Sequence, residues 1–191
     1  MIYVVDPSRR VHFKSQLNRF FLSQYMYEAI RAKNLNLAFQ NKFDTDEAVY
    51  ILYIDDQYPL CAGLRLLPTT GKHLSNTLCS SLSAKNLKRI HLHRSPKVWE
   101  CSRFFIDLPR AIPDFEQRYD DISQILLNAL EDYVSLEKID YIISFFPTET
   151  HQALCRSGWP FKISETFLIN NTPFTHSIFN FSSSLEKRVI Y

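Results

Sequence analysis

Glycine is scarce in this chain, which has only three among its 191 residues. At positions 63, 71 and 158, these glycines cannot form G-x-G-x-x-G or G-x-x-x-x-G-K-[ST]. The sequence therefore excludes a glycine-rich dinucleotide fingerprint and a P-loop. Its apolar runs are too short to cross a bilayer, and the first six residues read as a strand and not as a signal peptide. We expect a cytoplasmic protein without a membrane span.

An excess of charge of one sign is also lacking. Lys and Arg number 22 against 20 Asp and Glu, which gives a net charge of +2, and no general affinity for nucleic acid is expected. The six histidines show no metal-ligand spacing such as H-E-x-x-H, so we expect no metal. No C-x-x-C pair occurs, which favours reduced, mostly buried thiols. The cysteines are Cys61, Cys79, Cys101 and Cys155.

Apolar residues are plentiful, at 46% of the chain with 14% aromatic, and suffice for the core of one domain over residues 1–191. They recur at helical spacing in two segments and form short strand-like runs elsewhere. The predicted order is a strand (2–5), a helix (13–25), a hairpin (48–54 and 60–67), a strand (98–107), a helix (122–133), a strand (140–146), a helix (148–157) and two strands (161–169 and 175–181).

This order predicts the α/β (α+β) class, with a mixed central sheet and helices on both of its faces. The helix predicted at 122–133 should connect two parallel strands through a right-handed crossover. The same order of elements is found in the Gcn5-related N-acetyltransferase fold, which the chain is expected to resemble.

Three sequence blocks carry a closer resemblance. They read F-D-T-D-E-A-V-Y at 43–50, A-G-L-R-L-L-P-T-T-G at 62–71 and V-W-E-C-S-R-F-F at 98–105, and a weaker block is S-G-W at 157–159. Their order and spacing resemble those of the LuxI-type acyl-homoserine-lactone synthases, the autoinducer synthase family. The resemblance extends from Phe43 to Ile169.

The resemblance implies an acyltransferase. The donor would be an acyl thioester carried by acyl carrier protein or coenzyme A, and the acceptor would be the amine of S-adenosylmethionine. Amide formation would be followed by attack of the methionine carboxylate on its own γ-carbon. That attack expels methylthioadenosine and closes the lactone, a quorum-sensing signal. No cofactor is implied beyond these substrates.

The catalytic candidates are Glu100, Ser102 and Arg103. The acceptor amine must lose a proton before it attacks the thioester, and Glu100 is suited to be the general base, directly or through a water. Strand alternation predicts that Glu100, Ser102 and Phe104 share one face while Arg103 lies on the other. A β-bulge would turn Arg103 into the same cleft, and backbone N–H groups at the bulge would bind the developing oxyanion.

Structural roles are the alternatives for these residues. Glu100 would then be a strand carboxylate paired with a nearby arginine. Arg103 would form an ion pair with Asp107 or Asp114. Phe104, a candidate for contact with the adenosine or the acyl chain, would be an ordinary core residue.

Asp44 and Arg65 are candidates for binding the substrate. Arg65 lies in an apolar strand, where an unpaired charge is costly, so it needs a carboxylate. Either Asp44 or the carboxylate of S-adenosylmethionine can supply it, because a bidentate guanidinium suits both. The alternative is a purely structural pair between Asp44 and Arg65. Asp46 and Glu47 are expected to be solvated loop charges.

The segment that encloses S-adenosylmethionine in the family departs from the family pattern here. Tyr27 occupies the position of a substrate-binding aromatic, but Ser23 stands where the family has an arginine. Asn41 replaces an acid, and residues 33–35 lack the family's tryptophan. Either other aromatics such as Phe39 replace these groups or the acceptor is a different amine. A non-catalytic protein that binds a thioester carrier is a third reading.

Tyr141 and Phe145 are candidates for contact with the acyl chain. In the family this strand lines the acyl pocket, and a small threonine is often found near position 141. The bulky Tyr141, followed by Phe145 and Phe146, predicts a shorter pocket. We therefore expect a short, branched or aryl acyl group, as in the coenzyme A-using branch that the 43–50 block resembles most.

Overall fold

The structure is a computed structural model that describes residues 1–31, 45–55, 62–71, 94–108, 113–169 and 171–181. A 3-10 helix, Pro7–Arg9, precedes the first α-helix. The helices are α1 (Lys14–Arg31), α2 (Phe115–Leu136) and α3 (Thr148–Arg156). The strands are β1 (Ile2–Val5), β2 (Val49–Tyr53), β3 (Ala62–Pro68), β4 (Val98–Ile106), β5 (Tyr141–Pro147), β6 (Lys162–Ile169) and β7 (Thr172–Asn180).

The strands form a seven-stranded sheet in the order β1-β2-β3-β4-β5-β7-β6. β4 and β5 are parallel, as predicted for the two strands joined through α2, and the remaining neighbours are antiparallel. The predicted hairpin of β2 and β3 is confirmed. Its turn, and most of the irregular segments predicted at 31–42 and 73–96, lie outside the described residues.

The helices cover opposite faces of the sheet. Phe20 and Phe21 of α1 pack with Tyr50 of β2, and this side is called the α1 face. The apolar stripe of α2 packs on the other side, the α2 face, where Leu154 of α3 joins the same core cluster. The predicted mixed sheet with helices on both faces is thus confirmed.

The sequence of β2 is apolar without alternation because both of its faces are covered. Val49 and Ile51 belong to the core on the α2 face, while Tyr50 and Leu52 belong to the core on the α1 face. All four side chains are at most 2% exposed. A strand buried on both sides needs an apolar residue at every position, which is the pattern found.

The S-G-W block ends α3 and joins it to α2. Gly158 has φ 90°, a left-handed conformation that favours glycine, and its N–H donates to the Cys155 carbonyl. The Trp159 indole is buried and donates to Ser123 of α2, and the Ser157 hydroxyl donates to Asp120 of α2. In the described structure this block is therefore a packing motif.

The expectation of mostly buried thiols holds for one of the two described cysteines. Cys101 is buried in the sheet, but Cys155 is exposed on α3. The prediction was wrong for Cys155 because composition does not show which face of a helix a residue occupies. Within the described part of the chain, no helix is long and apolar enough to cross a membrane.

Gly63 lets α1 approach the sheet closely. A Cβ atom there would lie 3.0 Å from the Ile51 carbonyl oxygen and 3.1 Å from Phe20 Cδ2. We expect Gly63→Ala to lower the free energy of unfolding by about 1–3 kcal/mol, because the strand backbone cannot yield. Gly71→Ala is the control, since its Cβ would meet the movable end of the Glu47 side chain. Equal destabilisation of the two variants in urea denaturation would contradict this account.

Candidate active site

Strand β4 contains a β-bulge at the W-E-C-S-R-F block. Arg65 of β3 pairs with Ser102, but Gly63 pairs with Phe105, so β4 has one more residue than β3 in this interval. Arg103 takes up the irregularity with φ 55°, in the left-handed region that non-glycine residues rarely adopt. The backbone at this position is strained, and the surrounding packing must hold it there.

The bulge changes the face on which Phe104 lies. Phe104 is 5% exposed and contacts Phe146 and Trp159 in the core on the α2 face, with ring centroids 6.3 and 5.7 Å away. The prediction that Phe104 shares a face with Glu100 and Ser102 was wrong, because the extra residue inverts the alternation. Its packing is that of a core phenylalanine, the alternative that the sequence left open.

The same bulge brings Arg103 to the α1 face. The guanidinium carbon of Arg103 lies 5.8 Å from the ring centroid of Phe21 of α1, within cation–π range. The predicted reorientation by a bulge is therefore confirmed. Phe105, the next residue to reach this face, packs against Phe20 with ring centroids 5.3 Å apart.

Three polar side chains are buried on the α1 face of β3 and β4. Arg65, Glu100 and Ser102 are each at most 1% exposed. The Arg65 guanidinium donates from Nη2 to the Ser102 hydroxyl over 3.0 Å. A charged group in this environment must be stabilised by specific partners, because burial alone disfavours it. Asp44, one of the two predicted partners of Arg65, lies outside the described residues.

Glu100 occupies the middle of the sheet. It is in register with Leu67 of β3 and Ile143 of β5, and its side chain is fully buried. Burial raises the pKa of the neighbouring Cys101 thiol, the charge of Glu100 raises it further, and Arg65 opposes this effect. Cys101 is thus held as a neutral thiol on the opposite face and is unsuited to act as a nucleophile.

The pairing of strands β4 and β5 ends next to these residues. Their ladder runs from Val98 and Tyr141 to Cys101 and Ser144, although both strands continue beyond it. Ser102 is the first β4 residue past the last paired position. We call the place where this ladder ends, beside the buried Arg65–Ser102 pair, the β4–β5 wedge. Two parallel strands that are no longer hydrogen-bonded to each other can admit an extended substrate between them.

Tyr141 and Phe145 lie on β5 at opposite ends of this region. Alternation from Ile143 places both on the face of Glu100. Tyr141 is half-buried at the paired end, in register with Val98. Phe145 lies just past the ladder, is 4% exposed and stacks on Phe174 of β7, with centroids 5.3 Å apart and planes 13° apart. Phe174 was missed by sequence reasoning because its contact depends on long-range strand pairing.

The structure gives less information about the other residues that the sequence singled out. Tyr27 lies within α1, but its side chain is not among those described, and Phe39 and Asn41 lie outside the described ranges. Asp46 and Glu47 are exposed, as expected for loop charges. Among the residues that the structure describes, no group of three or more His, Cys, Asp or Glu is placed to hold a metal ion.

Comparison with known proteins gives the site a context. A family model described as "Autoinducer synthase" matches residues 37–178. An acyl-homoserine-lactone synthase from Ralstonia solanacearum is 35% identical over 65 residues, which are 34% of this chain and 30% of that protein. The matched segment thus spans less than a third of the length of that relative.

Solved structures extend the similarity to the whole fold. MesI, a CoA-dependent acyl-homoserine lactone synthase, has a TM-score of 0.67 and 19% identity over 95% of this chain and 89% of its own. BjaI, another CoA-dependent acyl-homoserine lactone synthase, solved with SAM and isopentyl-CoA, has a TM-score of 0.67 and 18% identity over 99% of this chain and 89% of its own. At such identities the likeness shows the shared fold, and it confirms the predicted acetyltransferase-like class.

The Arg65–Ser102 contact can be tested through stability. Ser102→Ala removes an acceptor from a buried guanidinium and should lower the free energy of unfolding by about 1–3 kcal/mol. Ser144→Ala is the control, because it removes a buried bond between two neutral hydroxyls, and such a bond contributes less than one to a charged group. Urea denaturation measures both. A smaller loss for Ser102→Ala than for Ser144→Ala would argue against the role given to Ser102.

Proposed function

Because the chain belongs to the autoinducer synthase family, we propose that it is an acyl-homoserine-lactone synthase. It transfers an acyl group from acyl carrier protein or coenzyme A to the amine of S-adenosylmethionine and then closes the lactone. The observation that carries this proposal is the set of Arg65, Glu100 and Ser102, buried together where the β4–β5 ladder ends. A wedge that admits a thioester beside a buried carboxylate provides what aminolysis needs.

Glu100 acts as the general base. The amine of S-adenosylmethionine arrives mostly protonated, and the Glu100 carboxylate accepts its proton directly or through one water. The amine nitrogen then forms a bond to the thioester carbonyl carbon, and the carbon–sulfur bond breaks. The carrier leaves as a thiol with the proton that Glu100 had accepted, and the nitrogen gives up its second proton to the regenerated Glu100 carboxylate as the amide forms. The Glu100 side chain is 0% exposed, so the proton transfer takes place away from bulk water.

Arg65 and Arg103 provide the positive charge of the site. Arg65 binds a carboxylate, either that of S-adenosylmethionine or that of Asp44, while its Nη2 holds Ser102. Arg103, at the bulge, orients the acceptor or neutralises the charge that develops on the carbonyl oxygen. Backbone N–H groups at the bulge are suited to receive that oxygen, because a bulge directs them away from the regular ladder.

Lactone formation follows on the same molecule. The carboxylate oxygen of the acylated methionine attacks its γ-carbon, the carbon–sulfur bond to the sulfonium breaks, and methylthioadenosine leaves. The substrates are small molecules or a carrier protein, no cofactor takes part, and the product is a quorum-sensing signal. We place this reaction in the cytoplasm and in one domain that covers residues 1–191.

A second candidate is an N-acyltransferase with a different amine as acceptor. The departures at Ser23 and Asn41, in the segment that should enclose S-adenosylmethionine, favour it. Both enzymes would form an amide at the same wedge. Only the lactone synthase releases methylthioadenosine, so that product separates the two. A non-catalytic protein that only binds the carrier would form neither the amide nor methylthioadenosine.

Glu100→Gln tests the assignment of the base. The amide keeps the shape of the side chain but accepts no proton at neutral pH, so kcat should fall by about 10²–10⁴-fold. Glu137→Gln, at the exposed C-terminal end of α2, is the control and should leave kcat unchanged. Amide product is followed by mass spectrometry, and folding by circular dichroism. A folded Glu100→Gln variant with wild-type kcat would exclude Glu100 as the base.

The acyl group is short, branched or aryl. Tyr141 and Phe145 are bulky residues on the face of Glu100, and Phe174 supports Phe145 from the next strand through ring stacking. An acyl chain that extends along β5 meets these rings after a short distance. This proposal concerns pocket length and is independent of the carrier.

Tyr141→Thr should lengthen the accepted acyl chain. Removing the ring opens space along β5, and each added methylene that is accommodated should favour the longer substrate by about tenfold or more in kcat/KM. Tyr119→Thr is the control, since Tyr119 is a half-buried tyrosine packed on the α2-face core. Competition assays with acyl thioesters of different length give the ratio. Long-chain lactones as the sole product of the wild-type protein would refute the short pocket.

A further inference from the structure

Arg10 connects the turn before α1 to the start of β2. Its Nη2 donates to the carbonyl oxygens of Thr45 and Ala48 over 2.7 and 2.5 Å. The Ala48 N–H itself donates to the Thr45 carbonyl over 3.1 Å, which closes a turn between these two residues. One guanidinium nitrogen thus binds both ends of the turn that leads into β2.

The carbonyl contacts and not the neighbouring ion pair give Arg10 its importance. Asp46 lies 3.7 Å from Arg10, but its side chain is fully exposed, and exposed ion pairs contribute little. The Arg10 side chain is only 22% exposed, and its bonds to Thr45 and Ala48 are charge-assisted. These bonds fix the turn to the segment before α1.

A row of aromatic rings continues from Arg10 to the candidate active site. The Arg10 guanidinium carbon lies 5.7 Å from the ring centroid of Tyr50. Tyr50 contacts Phe21 edge to face, with centroids 5.7 Å apart, and Phe21 lies under the Arg103 guanidinium at 5.8 Å. Tyr50 is also in register with Arg65. The guanidinium groups of Arg10 and Arg103 therefore lie at the two ends of the Tyr50–Phe21 ring pair.

We propose that Arg10 is a positioning residue that holds the Thr45–Ala48 turn and, through Tyr50 and Phe21, sets the place of Arg103. Arg103 has a strained backbone, and such a residue keeps one geometry only where its surroundings over-determine it. The rings of Phe21 and Tyr50 are part of those surroundings, and Arg10 contacts Tyr50 at the other end of this row of rings. The inference rests on the proposed function, because it gives Arg103 a role in placing the acceptor.

Arg10→Met tests the inference, with Arg9→Met as its matched control. Arg9 is adjacent and carries the same charge, but it is exposed and pairs only weakly with Asp6, at 4.0 Å. We expect Arg10→Met to raise KM for S-adenosylmethionine by about tenfold and to leave KM for the acyl thioester within about twofold. Arg10→Lys, which keeps the charge but loses the planar donor group, should be intermediate.

A double-mutant cycle separates positioning from general destabilisation. In an Arg103→Met background, Arg10→Met should add little to KM, because the group that it positions is already gone. Hydrogen exchange should be faster at residues 45–50 and at 101–106 in Arg10→Met, but not in Arg9→Met. Fully additive effects on KM, or equal effects of the two single variants, would overturn the inference.

Failure of the proposed function would look different. The wild-type protein would then form no lactone from S-adenosylmethionine and acyl thioester. The exchange measurement still decides the inference in that case. Faster exchange at both segments in Arg10→Met would support the link between Arg10 and Arg103. Exchange at 101–106 equal to that of the wild type would overturn it.

Discussion

The extra residue in β4 determines which side chains lie together in the candidate active site. Without it, strict alternation would place Phe104 beside Glu100 and turn Arg103 into the core on the α2 face. With it, Phe104 fills that core and Arg103 reaches the α1 face. The strained φ of Arg103 is the cost of this exchange. Arg103, at the bulge, lies two residues past the last β4 position of the β4–β5 ladder, so the irregularity that orients the cation lies close to the end of that ladder.

Buried charge is the second constraint on this sheet. Arg65 and Glu100 lie on neighbouring strands of one face and are shielded from water, in an environment that an apolar side chain would tolerate better. Burial and the nearby charge of Glu100 raise the pKa of the Cys101 thiol and keep it neutral, although Arg65 opposes this effect. Charges retained under such conditions are typical of sites that bind or transform a substrate. The proposed aminolysis uses both of them.

The periodic parts of the fold could be predicted from sequence. The apolar period of α2 and the unbroken apolar run of β2 identified these elements, because burial on one or two faces imposes those patterns. The candidate active site was harder to predict from the sequence. Glu100, Ser102 and Arg65 were found through the blocks that contain them, but the face of Phe104 was assigned wrongly because strict alternation was continued past the predicted bulge. Arg10 and Phe174 were missed because their roles arise from contacts between distant segments.

The central claim is that amide formation at the β4–β5 wedge is coupled to lactone closure. The most direct measurement is the ratio of acyl-homoserine lactone to methylthioadenosine, quantified by mass spectrometry after the purified protein is incubated with S-adenosylmethionine and an acyl thioester. The account predicts that both products accumulate in equal amounts, and that both disappear together in Glu100→Gln. Amide product without methylthioadenosine, or neither product with any carrier, would contradict it.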